Sequence, residues 1–389
     1  MTVSESSLFP LVGLQAVANA HNEWVAVTLR VAPGEGKAIA ALTSLLGDPA
    51  VFAALAPLDC IVPIDDPRAL TASLLELLPA QRILFSIPAA ICADKAVQQA
   101  CLALSDEGYR FIADGAAGIG AARCGARALG FDAAAALPQA FQLMALPGPH
   151  LAFNVDSGAR LRECRALGFG WYSGAYALQS SQEKSDDGTS RKRLLALLGL
   201  LARDADSREL ETLLKQDPAL SYHLLKLVNS AVFAISTPIH NFSQAINMLG
   251  RRQLQRWLQL LLYARPQDGA GANALLPLAA LRAAQMETLC KMDGGDRDAQ
   301  DIAFMVGVFS LLDVLLGMPM DDILGALQLD PAIALALRER AGPLGAMLAL
   351  CERHAVVESD LSGVGIDPES YWSGLLQAYQ WAIQVSRNL

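Results

Sequence analysis

Five histidines are the first residues to test for metal or acid–base chemistry: His21, His150, His223, His240 and His354. None is followed by an aspartate, so the chain contains no adjacent His-Asp pair. The seven cysteines (Cys60, Cys92, Cys101, Cys124, Cys164, Cys290, Cys351) are scattered and form no Cys-x-x-Cys pair. Their odd number argues against a disulfide framework, and Cys290 and Cys351 read as core fillers. Asp114 closes an apolar, strand-like run, and Asp313 is the one carboxylate in the apolar stretch 306–317. Arg251, Arg252 and Arg256 share one helical stretch with Trp257. A DNA-reading helix and a solvated basic face of an acidic protein both fit that pattern.

Composition bounds what such residues could serve. The chain has 389 residues, enough for about two domains, with 53% hydrophobic and 18% charged residues. This describes a packed globular protein rather than a disordered one. A net charge of −9 disfavours a broad nucleic-acid or anionic-membrane surface. The beginning, MTVSESSLFP, lacks the basic-then-apolar order of a signal peptide, and the longest apolar runs are too short to span a bilayer. The expectation is a reduced, cytoplasmic protein without nucleic-acid or membrane partners.

These residues need elements to position them. The polar stretch 179–193 reads as a linker. Before it, apolar runs alternate with helical stretches. Strands are expected at Val12–Val17, Trp24–Val31, Cys60–Ile64, Ile83–Ile87, Arg110–Asp114, Phe141–Leu146 and Leu151–Val155. Helices are expected at Gly36–Leu46, Pro67–Leu78, Ala90–Leu104 and Ala159–Leu167. Such alternation implies a mostly parallel sheet, open or closed into a barrel. After the linker nearly everything reads as helix. Asp206 with Glu209, Asp330-Pro331 and Asp367-Pro368 are helix starts, and 265–274 is a loop. The domains are thus 1–180, a linker at 181–193, and 194–389.

Residues 217–254 carry the most specific pattern. Asp217-Pro218 starts a helix whose Leu220, Leu224, Leu227 and Val228 form one apolar stripe. Asn229-Ser230 and Ser236-Thr237-Pro238 interrupt it, and Gly250 stops a second short face. Leu254, Trp257, Leu258 and Leu261 carry a third. The ordered run of Asp217, Pro218, Leu224, Leu227, Asn229, Ser230, Pro238 and Gly250 resembles the signature of the HDOD family of bacterial signalling domains. The resemblance implies an all-α domain, related to metal-dependent phosphohydrolases but generally without their metal ligands. The signature residues are structural, and His223 reads as a boundary histidine.

The first half resembles the cyclic di-GMP phosphodiesterase domain named for its Glu-Ala-Leu (EAL) motif, in the shortened form that precedes HDOD domains in the YuxH-like group. Residues 13–30, 107–114 and 151–178 carry this likeness. In active relatives, carboxylates at strand ends hold two divalent cations that activate a water, and a lysine assists. Here the corresponding positions are Ala26, Pro63, Phe85, Gly115, Phe153 and Ser173, and residues 96–183 contain no lysine. Asp114 persists, and Asp156 could stand for a glutamate. Gln15, Arg30 and Asp114 match positions that touch the nucleotide in relatives. Arg30 could take a phosphate in fork geometry, or simply make a structural ion pair.

The expectation is therefore a shortened or degenerate EAL-type α/β barrel followed by an all-α HDOD domain. The chain would act as a non-catalytic signalling protein through protein–protein contacts, without metal or cofactor. A cyclic di-GMP receptor and a phosphodiesterase with non-standard ligands are the alternatives. A homodimer is compatible with the sequence.

Overall fold

The computed structural model describes residues 9–31, 42, 44–115, 119–179, 188–203, 206–214, 224, 244, 249–264, 273–327, 329–353 and 356–388. It divides into two compact units. The first comprises 1–177 with 354–363 and 367–376; the second comprises 178–353 with 364–366 and 377–389.

The first unit contains a closed eight-stranded barrel whose strands follow in chain order. They are β1 (Val12–Asn19), β2 (Trp24–Val31), β3 (Asp59–Pro63), β4 (Ile83–Pro88), β5 (Arg110–Asp114), β6 (Ala128–Asp132), β7 (Leu151–Phe153) and β8 (Trp171–Tyr172). β1 is antiparallel to both β2 and β8, while β2 to β8 run parallel. The antiparallel start follows from the short turn Ala20–Glu23, where Asn19 Oδ1 accepts the amides of His21 and Glu23. A connection that short cannot cross over to make a parallel pair.

Side chains alternate between the two faces of each strand. Val17, Ala26, Ile61, Leu84, Ile112, Ala128 and Leu151 meet as one buried cluster, with Phe153 and Trp171 against it, and fill the barrel interior. At the strand starts, Arg110 and Asp59 form an inward ion pair at 2.8 Å. The outward face is equally apolar: Phe85 stacks with Tyr109 and Phe111 at centroid distances of 5.3 and 5.9 Å.

The connections are α1 (Pro49–Ala54), α2 (Ala72–Leu75), α3 (Lys95–Asp106), α4 (Ile119–Arg123), α5 (Ala140–Leu143) and α6 (Gly158–Leu167). Asp48 caps α1 by accepting the Ala50 amide, and Asp94 caps α3 through the Ala96 amide. Asp66 does the same for a 3₁₀ turn at Pro67–Ala69. The expected helix at 67–78 is thus split into that turn and α2. The strand expected at Phe141–Leu146 is instead the helix α5, at whose start Gln142 Oε1 accepts the Gln139 amide at 2.9 Å. Phe141 and Met144 are 66% and 84% exposed, so the apolar run that suggested a strand is not a buried one. The sixth strand comes earlier, at Ala128–Asp132, and carries Ala and Gly, which are weak strand signals.

The second unit is helical. α7 (Gly188–Ala202), α8 (Ser207–Leu214), α9 (Arg251–Leu261), α10 (Leu275–Met292), α11 (Arg297–Phe309), α12 (Leu312–Leu316), α13 (Met320–Leu327), α14 (Pro331–Glu339) and α15 (Gly342–Cys351) follow in order. The chain continues with α16 (Glu358–Ser362) and α17 (Pro368–Asn388). The expected caps are present: Asp206 accepts the Glu209 amide, Asp330 that of Ala332 and Asp367 that of Ser370. Leu254, Trp257, Leu258 and Leu261 are all buried on α9, and Trp257 stacks with Trp381 of α17 at 5.0 Å. α10 and α11 cross at a close approach, where a Cβ on Gly307 would lie 2.6 Å from the Ala283 Cα. No helix among the described residues is long and apolar enough to cross a membrane.

Candidate functional site

The inward alternation carries on past the apolar layer to the C-terminal ends of the parallel strands. There Gln15 and Arg30 from the β1–β2 hairpin meet Ser86 of β4, Asp114 of β5 and Gly130 and Asp132 of β6. Arg30 Nε donates to Gln15 Oε1 at 2.8 Å, so the structure brings two of the three expected nucleotide-touching residues into contact. The third, Asp114, faces the same mouth. Burial raises the pKa of its carboxyl group, while a hydrogen bond from Ser86 and the charge of Arg30 lower it. Its Oδ1 atom is buried and has no hydrogen-bond partner.

Asp114 stands opposite Gly130 in register. A Cβ on Gly130 would lie 1.9 Å from Asp114 Oδ1, so the carboxylate occupies the volume a side chain on β6 would take. Asp132 is committed elsewhere: its Oδ1 accepts the Ala134 amide at 2.9 Å and Asn154 Nδ2 at 3.1 Å. Asn154 adopts left-handed backbone, φ 55°, as β7 ends, which turns its amide toward Asp132.

The other expected positions are placed as follows. Ala26, Pro63 and Phe153 are on the inward register, but Phe85 points outward into its aromatic stack. The inward residue of β4 at that level is Ser86, which the period-2 alternation from Leu84 would have identified. Ser173 is buried after β8, Gly115 follows β5 with its amide bonded to the Gly130 carbonyl, and Asp156 is exposed. Among the described residues, no group of three or more His, Cys, Asp and Glu gathers as a metal site.

Asp217, Pro218, Leu227, Asn229, Ser230 and Pro238 lie outside the described residues, as do His223, His240 and His354. Gly250 has φ 76° and immediately precedes α9. Arg252 and Arg256 do not form a solvated basic face. Arg256 is 16% exposed, pairs with Glu287 at 2.6 Å and Asp301 at 2.8 Å, and lies 4.7 Å above the Phe304 ring. Arg252 pairs with the same Asp301 at 2.5 Å.

The comparisons with known proteins divide along the chain. Residues 192–311 match the model of the HDOD domain. Those residues are an HDOD domain. A cyclic di-GMP phosphodiesterase, CdgJ of Vibrio cholerae serotype O1, is 30% identical over 247 residues, covering 61% of this chain and 56% of that protein. The uncharacterized protein YuxH of Bacillus subtilis is 27% identical over 176 residues, covering 43% of this chain and 42% of YuxH. The matches thus span about half the length of these curated relatives. Among solved structures, a standalone EAL protein from Vibrio cholerae O395 in its c-di-GMP-bound form covers 44% of this chain and 91% of its own, at 15% identity and a TM-score of 0.35. The chain thus contains a closed barrel in its first unit and an HDOD domain at 192–311.

Proposed function

We propose that this EAL–HDOD chain is a non-catalytic regulatory protein of cyclic di-GMP signalling that acts by binding a protein partner. The observation that carries this reading is the composition of the barrel mouth. Ala26, Pro63, Ser86 and Phe153 offer no carboxylate or carboxamide on the inward register, and Asp132 is held by Asn154. Asp114 alone is a poor basis for a pair of hard cations, which need several oxygen ligands converging on one point. The HDOD half has no His-Asp doublet in its sequence to supply a second metal site. One relative is named a phosphodiesterase, and hydrolysis is therefore the property to test first. Purified protein incubated with cyclic di-GMP and Mg²⁺ or Mn²⁺ is expected to give no linear product. Turnover that disappears in Asp114→Asn would overturn the reading.

A second reading is favoured by one contact. Gln15 holds Arg30 through Nε, and Nη1 and Nη2 have no hydrogen bond among the described residues. A fork preset in this way suits a phosphate of a cyclic dinucleotide bound without hydrolysis. Calorimetric titration with cyclic di-GMP would show saturable binding, weakened about tenfold or more in Arg30→Ala. Affinity that the substitution leaves unchanged removes this reading.

A further inference from the structure

The HDOD unit contains a charge arrangement that neither reading above uses. Arg282 lies midway along α10 with its side chain only 12% exposed. Its Nη1 donates to Ser310 Oγ at 2.9 Å and approaches Glu352 Oε1 at 3.2 Å. Glu352 is already taken by a second arginine: Arg340 binds it in a two-point fork, Nε to Oε2 at 2.9 Å and Nη2 to Oε1 at 2.8 Å. Arg340 also donates from Nη1 to the Leu337 carbonyl. Two guanidinium groups therefore share one carboxylate, and the shorter, bidentate pairing belongs to Arg340.

The remaining neighbours do not correct the imbalance. Tyr263 donates its hydroxyl to the Val308 carbonyl at 2.6 Å, and the Cys351 thiol beside Arg282 is held protonated by burial. Arg282 Nε and Nη2 form no hydrogen bond among the described residues, and neither is among the fully enclosed orphan atoms. The free edge of the guanidinium is thus deep, yet still reached by solvent. Leaving a charge largely out of water without a full counter-ion is costly, and an incoming anion would relieve it.

We propose that the free Nε/Nη2 edge of Arg282 is a binding site for a small oxyanion such as the phosphoryl group of a ligand; the Ser310 hydroxyl, which accepts from Nη1 and donates to the Gly307 carbonyl at 2.7 Å, anchors the guanidinium. A guanidinium edge presents two parallel N–H donors at the spacing of two oxyanion oxygens. Arg340 adds positive potential and Glu352 opposes it, so the site is tuned by how far Glu352 is neutralised.

The test is calorimetric titration of the full chain with inorganic phosphate at constant ionic strength. Wild type is expected to bind saturably. Arg282→Lys keeps the charge but removes the two-donor edge, and should weaken binding about tenfold. If that buried substitution impairs folding, Glu352→Gln decides the matter from the other side. It removes the competing carboxylate and should tighten phosphate binding about fivefold or more. Absence of saturable binding in wild type overturns the site, as does an affinity that neither substitution changes. Arg30 lies in the other unit, so the outcome is independent of cyclic di-GMP binding at the barrel mouth.

Discussion

Asp114 and Gly130 stand opposite each other on β5 and β6, and Asp114 Oδ1 lies 1.9 Å from where a Cβ on Gly130 would sit. One residue's lack of a side chain is the condition for the other's position. Gly130→Ala must therefore displace the carboxylate or spread the two strands, at a cost of about 1–3 kcal/mol. Urea unfolding followed by circular dichroism would measure it. In an Asp114→Ala background the same glycine change should cost much less, because the clashing atom is gone. Equal costs in both backgrounds would show that the two residues do not compete for this space.

The Asp114 carboxyl also gives the fold a pH dependence of known sign. Its folded pKa is raised, chiefly by burial, above that of the unfolded chain. The folded state therefore binds the proton more tightly. Below the unfolded carboxylate value, about 3.9, the group is protonated in both states and carries no penalty. As pH rises through the folded pKa, ionisation in the interior lowers stability. Asp114→Asn should accordingly stabilise the chain at neutral pH, with the advantage over wild type shrinking as the solution is acidified. Parallel unfolding curves across pH would check this; an advantage that grows on acidification contradicts it.

The ion pairs on α9 should differ sharply in worth. Arg256 is 16% exposed and is shared by Glu287 and Asp301, whereas Arg252 is 39% exposed. Truncating Arg256 to alanine leaves Glu287 without its cation and Asp301 with Arg252 alone, and uncovers Phe304. A loss of about 3 kcal/mol is expected. Arg252→Ala should cost about 1 kcal/mol or less, since a half-exposed pair is well screened. Denaturation of both variants in low and high salt separates them: only the small Arg252 effect should fade with salt.

The α10–α11 crossing depends on Gly307. A Cβ there would lie 2.6 Å from the Ala283 Cα and 2.8 Å from the Arg282 carbonyl oxygen, both backbone atoms that cannot rotate away. Gly307→Ala should destabilise the helical unit by about 2 kcal/mol or more by prising the helices apart. Because Arg282 lies on α10 and its anchor Ser310 directly follows α11, phosphate binding should fall in the same variant. Unchanged thermal stability would mean the helices slide past each other without cost.

Local chemistry in the chain was enough to place most elements. The Asp-Pro pairs at 48–49, 66–67, 330–331 and 367–368 all open helical turns, because the aspartate accepts an amide of the first turn while proline lacks the one it would waste. β2 and β5 begin and end where the apolar runs do. β6 and β8 were not legible: one is built from small residues, and the other is two residues long and exists only because barrel closure pairs it with β1 and β7. Phe141–Leu146 misled for the opposite reason, since strand propensity describes residues that become buried, and two of these face solvent.

What the sequence determined by itself was chemical inventory: no His-Asp doublet, no lysine from 96 to 183, and a helical second half whose 192–311 segment is an HDOD domain. Inventory is a property of residue types and survives any folding. Which groups converge was decided only in three dimensions. Strand register turned Ser86 inward and Phe85 outward, and set Asp114 against Gly130. Helix crossing brought Arg282, Ser310 and Glu352 together from positions 28 and 42 residues apart along the chain. Contacts of that range depend on how distant segments pair and pack, and no local pattern encodes their geometry.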